Sequence, residues 1–509
     1  MELNKNKVDY LYRRQFILSP KKVHIFKSCN YLQICDNLFL SAHSDLGIAQ
    51  AHYDNKSIYL LGFILDPNNI KISDYEILSN ILKNSKNEVE VFEQLSDKCG
   101  RFIIILKFGS NIRIFSDACG TRQIFYHIDK SGNIWCASQP HLIANELGIQ
   151  INLKTKHDLM KSSVFKSDER WFPGRITLYD NVFHLTPNHY LDLTTYKSIR
   201  YWPNKFLRPQ TIEQALPKVQ RLLTGIIKAA VYRYRTGFAI SCGYDSRTLL
   251  ATSKQVSNKI HFITQTSKDR INTDPDVIIP TKLLKKLGLH HNIILLPNNF
   301  EGELFDIFQS NVQMARKGKG INAISIYDQL SLNNENIVMI YGNCSEITKR
   351  DRFRFPKTPK LFLNGFILAS MAQMSRSKIA IREFGKWIAE AKHLTKYNLN
   401  LLDLMHWEQR VGNWGAMTFS EYEMFFESLC PYSCRKYIEN MLRVPFKFRT
   451  NPNYIMHYKI MESCWPDVLD FGINPETNLL KKHILNFLYL SNIYDLIKLP
   501  HIIFIKRFK

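Results

Sequence analysis

The chain has 509 residues, more than one hydrophobic core supports, so at least two domains are expected. Hydrophobic residues at 45%, with 12% aromatic, exclude a disordered chain, and 22% charged residues is ordinary for a globular one. The 68 Lys and Arg against 45 Asp and Glu give +23, which attracts phosphate-rich partners in general, but with no run of five basic residues it does not by itself mark a nucleic-acid protein.

The opening MELNKNKVDYLYRRQF lacks the apolar core of a signal peptide. Up to about residue 200 short apolar runs punctuated by turn residues predict strands: SIYLLGFIL (57 to 65), RFIIILKF (101 to 108), NIRIFSDA (111 to 118), RQIFYHID (122 to 129) and NIWCAS (133 to 138). Between the first two, DYEILSNILKNSKNEVEVFEQLSD has helical apolar spacing, so this half reads as an α+β domain. The turn and proline content of TPNHYLDLTTYKSIRYWPN (186 to 204) predicts a linker that closes it, giving domains 1–204 and 205–509.

From residue 205 the pattern alternates helix and strand. Leu216, Val219, Leu222, Leu223, Ile226, Ile227, Ala230, Val231 and Tyr234 share one helix face, with Thr211 and Gln214 as a capping box ahead of it. The strands FAIS, KIHFITQT (259 to 266), NIILLP (292 to 297) and NIVMIYG (336 to 342) are continuously apolar and separated by helices, which indicates a doubly wound parallel sheet covered on both faces. Residues 360 to 445 read as mainly helical. The tail LIKLPHIIFIKRFK mixes apolar and basic residues that suit an anionic membrane surface, but Pro500 interrupts a helix there and a packed tail is the plainer expectation. Ten cysteines show no CxxC pair and no stretch of 18 apolar residues occurs, so buried free thiols and a cytoplasmic location are expected.

The chemistry-bearing segment is GFAISCGYDSRTLL (237 to 250): a strand, a small-residue loop and a helix start, where doubly wound sheets bind ligands. Gly243 permits close backbone approach, Ser241 and Ser246 offer hydroxyls, and the helix N-terminus offers amides and a positive dipole end to phosphate. Asp245 suits an anion site only if a cation such as magnesium stands between. An ordinary Ser/Gly/Asp turn accounts for six residues equally well.

SCGYDS resembles the SGGxDS pyrophosphate loop of the N-type ATP pyrophosphatases, as in asparagine synthetases and β-lactam synthetases, with Cys242 for its first glycine. YGNCSEI (341 to 347) is similar to the family's GxGSDE segment: Gly342 and Ser345 match, Glu346 falls on its magnesium-holding aspartate, and Cys344 replaces a glycine. Asn343 stands where asparagine synthetases carry a glutamate and β-lactam synthetases a tyrosine near the reacting groups. FESLCPYS (426 to 433) is similar to LExRxPFLD, with Glu427 on its glutamate, and WEQRVGNWGA (407 to 416) resembles the helical part that closes over the site. The resemblance therefore implies Ser241, Gly243, Asp245, Ser246, Gly342 and Ser345 around ATP, Asp245 and Glu346 on Mg2+, and Asn343, Arg410 and Glu427 at the acceptor pocket. Arg410 and Glu427 read equally as salt-bridge residues, and Cys242 and Cys344 as a facing redox pair or as tolerated small residues. The family's pyrophosphate lysine is not placed; Lys447, Lys481 and Lys482 all follow the acceptor segment.

CGRFIIIL, SDACGTRQIFYH and CASQPHLIA look like strands of the family's glutaminase domain, an N-terminal-nucleophile hydrolase sandwich. That chemistry needs a cysteine after the initiator methionine, where this chain has Glu2, so a degenerate domain is expected, as in β-lactam synthetases and lasso-peptide cyclases. The C-terminal domain is implied to have an adenine nucleotide α-hydrolase-like sheet with added helices. The function implied is an AMP-forming ligase joining a small-molecule or peptide carboxylate to an amine. An RNA-modifying enzyme with the same loop and a non-catalytic scaffold are the alternatives, and the remnant glutaminase domain disfavours RNA.

Overall fold

The computed structural model describes residues 7–330, 337–349 and 363–475; Glu2, Lys481, Lys482 and the basic tail lie outside the described residues. Among the described residues twelve strands precede residue 201: β1 (Phe16–Ser19), β2 (Cys29–Cys35), β3 (Leu38–His43), β4 (Ile48–Tyr53), β5 (Lys56–Leu65), β6 (Cys99–Phe108), β7 (Asn111–Ser116), β8 (Phe125–Ile128), β9 (Ile134–Ala137), β10 (Phe183–His184), β11 (His189–Asp192) and β12 (Lys197–Arg200). They form two six-stranded antiparallel sheets, β10-β8-β9-β1-β3-β2 and β12-β11-β7-β6-β5-β4.

Layering explains why β6 is apolar at successive positions. Ile103 and Ile105 face the other sheet, packing with Phe16, Leu18 and Leu40. Phe102, Ile104 and Leu106 face outward, where Leu78, Ile81, Leu82 and Val91 of two helices cover them. Those helices, Asp74–Lys83 and Glu88–Leu95, come from the stretch predicted to be helical, split by a new N-cap at Asn87. On the opposite sheet Leu142 and Ile143 of helix Pro140–Leu147 cover Ile17, Trp135 and Ala137, completing a helix–sheet–sheet–helix sandwich.

The segment expected to be a linker is instead the hairpin β11–β12, which extends the second sheet through Leu191 opposite Ile114. Its turn residues mislead because they are hairpin turns: Asn188 (φ +69°) and Tyr196 (φ +58°) both take the left-handed conformation at the ends of short strands.

The second half carries a five-stranded parallel sheet: β13 (Arg235–Ala239), β14 (Ile260–Thr266), β15 (His291–Leu295), β16 (Ile337–Ile340) and β17 (Glu427–Leu429), in the order β15-β14-β13-β16-β17. Helix Ile212–Arg233 begins at the predicted capping box, with Thr211 and Gln214 bonded reciprocally, and buries Val219, Leu222, Leu223, Ile226 and Ile227. Strand order reverses between β13 and β16, and such a switch opens a crevice at the carboxyl ends of the strands. Among the described residues no helix is long and apolar enough to cross a membrane.

Buried charge joins the two halves. Arg101 on β6 donates to Glu423 (2.5 Å) and Glu427 (3.1 Å), and Arg122 to Glu427 (2.6 Å) and Glu423 (3.4 Å). Arg200 of β12 bonds both oxygens of Glu408, and the Trp407 indole donates to the Ala118 carbonyl at 2.8 Å.

Candidate functional site

The segments following β13 and β16 meet at the switch point. After β13 the chain turns through Ser241–Gly243 into helix Tyr244–Thr252, whose N-cap is Gly243. The turn is held from within: the Ser241 amide donates to Ser246 Oγ (3.1 Å), the Gly243 amide to Ser241 Oγ (3.2 Å), and the two serine oxygens lie 3.0 Å apart. The Cys242 amide donates to Asp276 Oδ1 (3.0 Å) in the first turn of helix Pro275–Lys286.

After β16 comes Gly342, which lets the two segments touch. A Cβ there would stand 3.0 Å from Asp245 Cβ and 3.3 Å from the Ser246 nitrogen. Cys344 holds φ +73°, a left-handed conformation that glycine adopts more readily than cysteine. A short helix, Glu346–Lys349, follows, and the Lys349 ammonium lies 2.5 and 2.6 Å from the two Asp245 carboxylate oxygens. Burial alone would raise the Asp245 pKa, but the charges of Lys349 and His457 outweigh it and hold the carboxylate below its ordinary range. Tyr432 donates to the Asp245 carbonyl at 2.8 Å.

The sequence did not single out Lys349 for this role. It sits three positions after Glu346, so a helix beginning there carries it back toward the loop, and that spacing was the available signal. Lys447, one of the three lysines considered, lies over the Phe448 ring, 4.9 Å from its centroid.

Beside this junction is a cavity of about 240 Å3 lined by Asn343, Cys344, Glu346, His406, Arg410 and Trp414 among others. It gathers the predicted Asn343, Glu346 and Arg410. The wall opposite Asn343, Cys344 and Glu346 belongs to His406–Gly415, a π-helix, whose i→i+5 winding brings His406, Arg410 with Val411, and Trp414 with Gly415 onto one face. Arg410 stacks on Trp414 (3.9 Å to the ring centroid) and pairs with Glu169 at 3.2 Å.

Glu427 is not brought to this pocket. It opens β17 opposite Val338, four residues before Gly342 along the parallel neighbour, roughly 13 Å at the rise of a strand. Burial would raise its pKa, but Arg122, Arg101 and Arg14 hold it down at about 2. Glu427 is thus an ion-pair anchor, not a base, and strand direction is the reason: the end of that segment, Cys430 to Tyr432, is what reaches the site.

Cys242 and Cys344 do not form a facing pair in their contacts. The Cys242 thiol is directed to Asn474 Oδ1 (3.9 Å), whereas the Cys344 thiol is buried and interacts with those of Cys119 and Cys430. Burial and neighbouring Asp276 push Cys242 up to about 12, so it remains a protonated thiol.

A last element went unpredicted. Buried Arg247 grips the carbonyls of Val468 (3.0 Å), Phe471 (2.6 Å) and Gly472 (3.2 Å), and the Asn474 amide donates to the Cys242 carbonyl at 3.1 Å. A strap from near the end of the described chain therefore lies against the loop.

Among the described residues no group of three or more His, Cys, Asp or Glu is arranged to hold a metal ion. Asp245 and Glu346 come from the two converging segments and offer oxygen only, the donor type that magnesium takes, and both Asp245 oxygens are engaged by Lys349.

No protein-family model and no curated protein sequence matches the chain. Among solved structures it is similar to a glutamine phosphoribosylpyrophosphate amidotransferase from B. subtilis complexed with ADP and GMP, at 10% identity over 68% of this chain and 73% of that one, with a TM-score of 0.24. It is also similar to a structure described as the allosteric regulatory enzyme of purine biosynthesis, at 11% identity over 74% and 75% of the two chains, with a TM-score of 0.24.

Proposed function

We propose that the chain is an ATP-dependent, AMP-forming ligase that joins a carboxylate to an amine without a glutaminase activity of its own. The observation that carries this reading is the convergence of SCGYDS and GNCSE at the switch point, with Gly342 against Asp245 and Ser246 and one buried lysine between them. A substrate carboxylate oxygen attacks the α-phosphorus of ATP, the bond to the β-phosphate oxygen breaks, and acyl-adenylate and pyrophosphate form. The amine then attacks the acyl carbon, releasing AMP and the amide.

Catalysis of this kind rests on positioning and charge. Ser241, Gly243 and Ser246 cradle the pyrophosphate, and Ser345 lies buried beside Asp245. Lys349 supplies the resident positive charge. Asp245 and Glu346 would hold magnesium, which neutralises charge on the phosphates. Asn343 and Arg410 border the adjacent cavity, where the guanidinium stacked on Trp414 suits recognition of the acyl substrate.

A non-catalytic binding protein is the second reading, favoured by the internal bonding of the loop amides and the strap on Cys242. The deciding experiment measures pyrophosphate release with ATP, magnesium and a panel of carboxylates and amines, with Asp245→Asn as control. Release that depends on a carboxylate and is lost in the variant supports the ligase. Absence of substrate-dependent turnover together with absence of ATP binding sinks the ligase and leaves the non-catalytic protein.

A further inference from the structure

A second cavity, of about 420 Å3, lies between the sandwich and the amino end of the parallel sheet, where Ile337, Val338 and Glu427 form part of its wall. It is larger than the pocket beside Asn343 and shares no lining residue with it. Leu46, Phe63 and Val338 give it an apolar side, and Ser44 and Gly47 stand exposed at its mouth.

Its charged side comes from the turn that enters β1. Arg13 is matched by Asp45, Nε to Oδ2 at 2.7 Å, and Arg233 by Asp74 at 2.8 Å. Arg101 and Arg122 are matched by Glu423 and Glu427. Arg14 is left over. Its side chain is 2% exposed, its guanidinium makes one hydrogen bond, to the Glu423 carbonyl at 2.6 Å, and its Nε stands 3.9 Å from a Glu427 oxygen already bonded to Arg122. Among the described residues guanidiniums around this cavity thus exceed carboxylates by one, and the surplus lies on the wall.

Two further observations agree. Burial, with Arg13 beside it, pulls the Arg14 pKa down to about 9 against the opposing charges of Glu427, Asp45 and Glu423. Arg14 and Tyr12 hold φ +59° and +53°, a backbone state that L residues avoid unless the surroundings impose it.

We propose that this cavity binds a small organic monocarboxylate, its carboxylate on the Arg14 guanidinium and its carbon chain against Phe63, Leu46 and Val338. One surplus charge calls for a monoanion; a phosphate dianion would leave negative charge buried beside Glu427. A guanidinium fork suits a carboxylate, and the volume suits a small metabolite. The site stands apart from the nucleotide reading, since neither its residues nor its readout involves ATP.

The full chain is titrated with sodium acetate, lactate, butyrate and benzoate, against sodium chloride and sodium phosphate at equal ionic strength, following melting temperature and binding heat. At least one carboxylate is expected to raise the melting temperature saturably. Arg14→Met should lower that affinity tenfold or more. Ser44→Trp, at an exposed position and with no charge change, should obstruct the mouth and lower it too in a normally folded protein. Absence of a saturable response to all four carboxylates overturns the proposal, as does a response to phosphate alone. Binding undiminished in a folded Ser44→Trp overturns it even if Arg14→Met fails to fold.

Discussion

The Lys349 ammonium spans both carboxylate oxygens of Asp245, at 2.5 and 2.6 Å, and so ties the segment after β16 to the helix after β13. The lysine side chain is 5% exposed and the aspartate 26%, so the pair is protected on one side and open on the other.

Lys349→Met leaves Asp245 without its main counter-charge. Breaking a buried pair costs about 3–5 kcal/mol, and the open side of Asp245 brings the expected loss to about 2 kcal/mol. Denaturant unfolding measures that loss. On the ligase reading ATP affinity also falls at least tenfold; an unchanged affinity would assign Lys349 a structural role only.

Gly342→Ala should separate the converging segments, because its Cβ meets backbone and Cβ atoms at 3.0 to 3.4 Å and not the end of a flexible chain. We expect a loss of about 1–2 kcal/mol and weaker ATP binding. Calorimetric titration with ATP and magnesium, alongside thermal unfolding, checks both.

Cys344 provides a test of backbone strain. At φ +73° glycine is at ease and alanine is not, so Cys344→Gly should be more stable than Cys344→Ala by about 1 kcal/mol despite having fewer atoms to pack. Equal stability would mean that the left-handed turn relaxes.

Glu427 predicts the acid limb of stability. Its folded pKa of about 2 lies below the ordinary value of about 4.3, so its contribution is full above that value and is lost as pH falls through about 2. The difference corresponds to on the order of 3 kcal/mol. Glu427→Gln should therefore unfold more readily at neutral pH and show a shallower loss between about pH 4 and 2. A greater than tenfold fall in pyrophosphate release at pH 7 in a folded variant would restore it as a base.

Arg247→Met removes the grip on the carbonyls of Val468, Phe471 and Gly472. Hydrogen exchange at residues 468 to 474 should speed up at least tenfold while the amides of β13 stay protected. If exchange is unchanged, the strap is held by its other contacts.

Local pattern determined most of the elements. The apolar runs became β5 through β9, the capping box at Thr211 and Gln214 began its helix, and the loop at SCGYDS followed its strand, because turn chemistry and side-chain periodicity act over a few residues. The hairpin β11–β12 was misread because its strands are four residues each, too short for alternation to outweigh their turns. Tertiary structure alone decided which charges meet. Asp245 and Lys349 are 104 residues apart and Arg122 and Glu427 are 305 apart, and no local period encodes such distances. Strand order placed Gly342 at the carboxyl end of β16 and Glu427 at the amino end of β17, so the loop gained a lysine that sequence did not reveal, and the glutamate assigned to it went to the arginines of the sandwich.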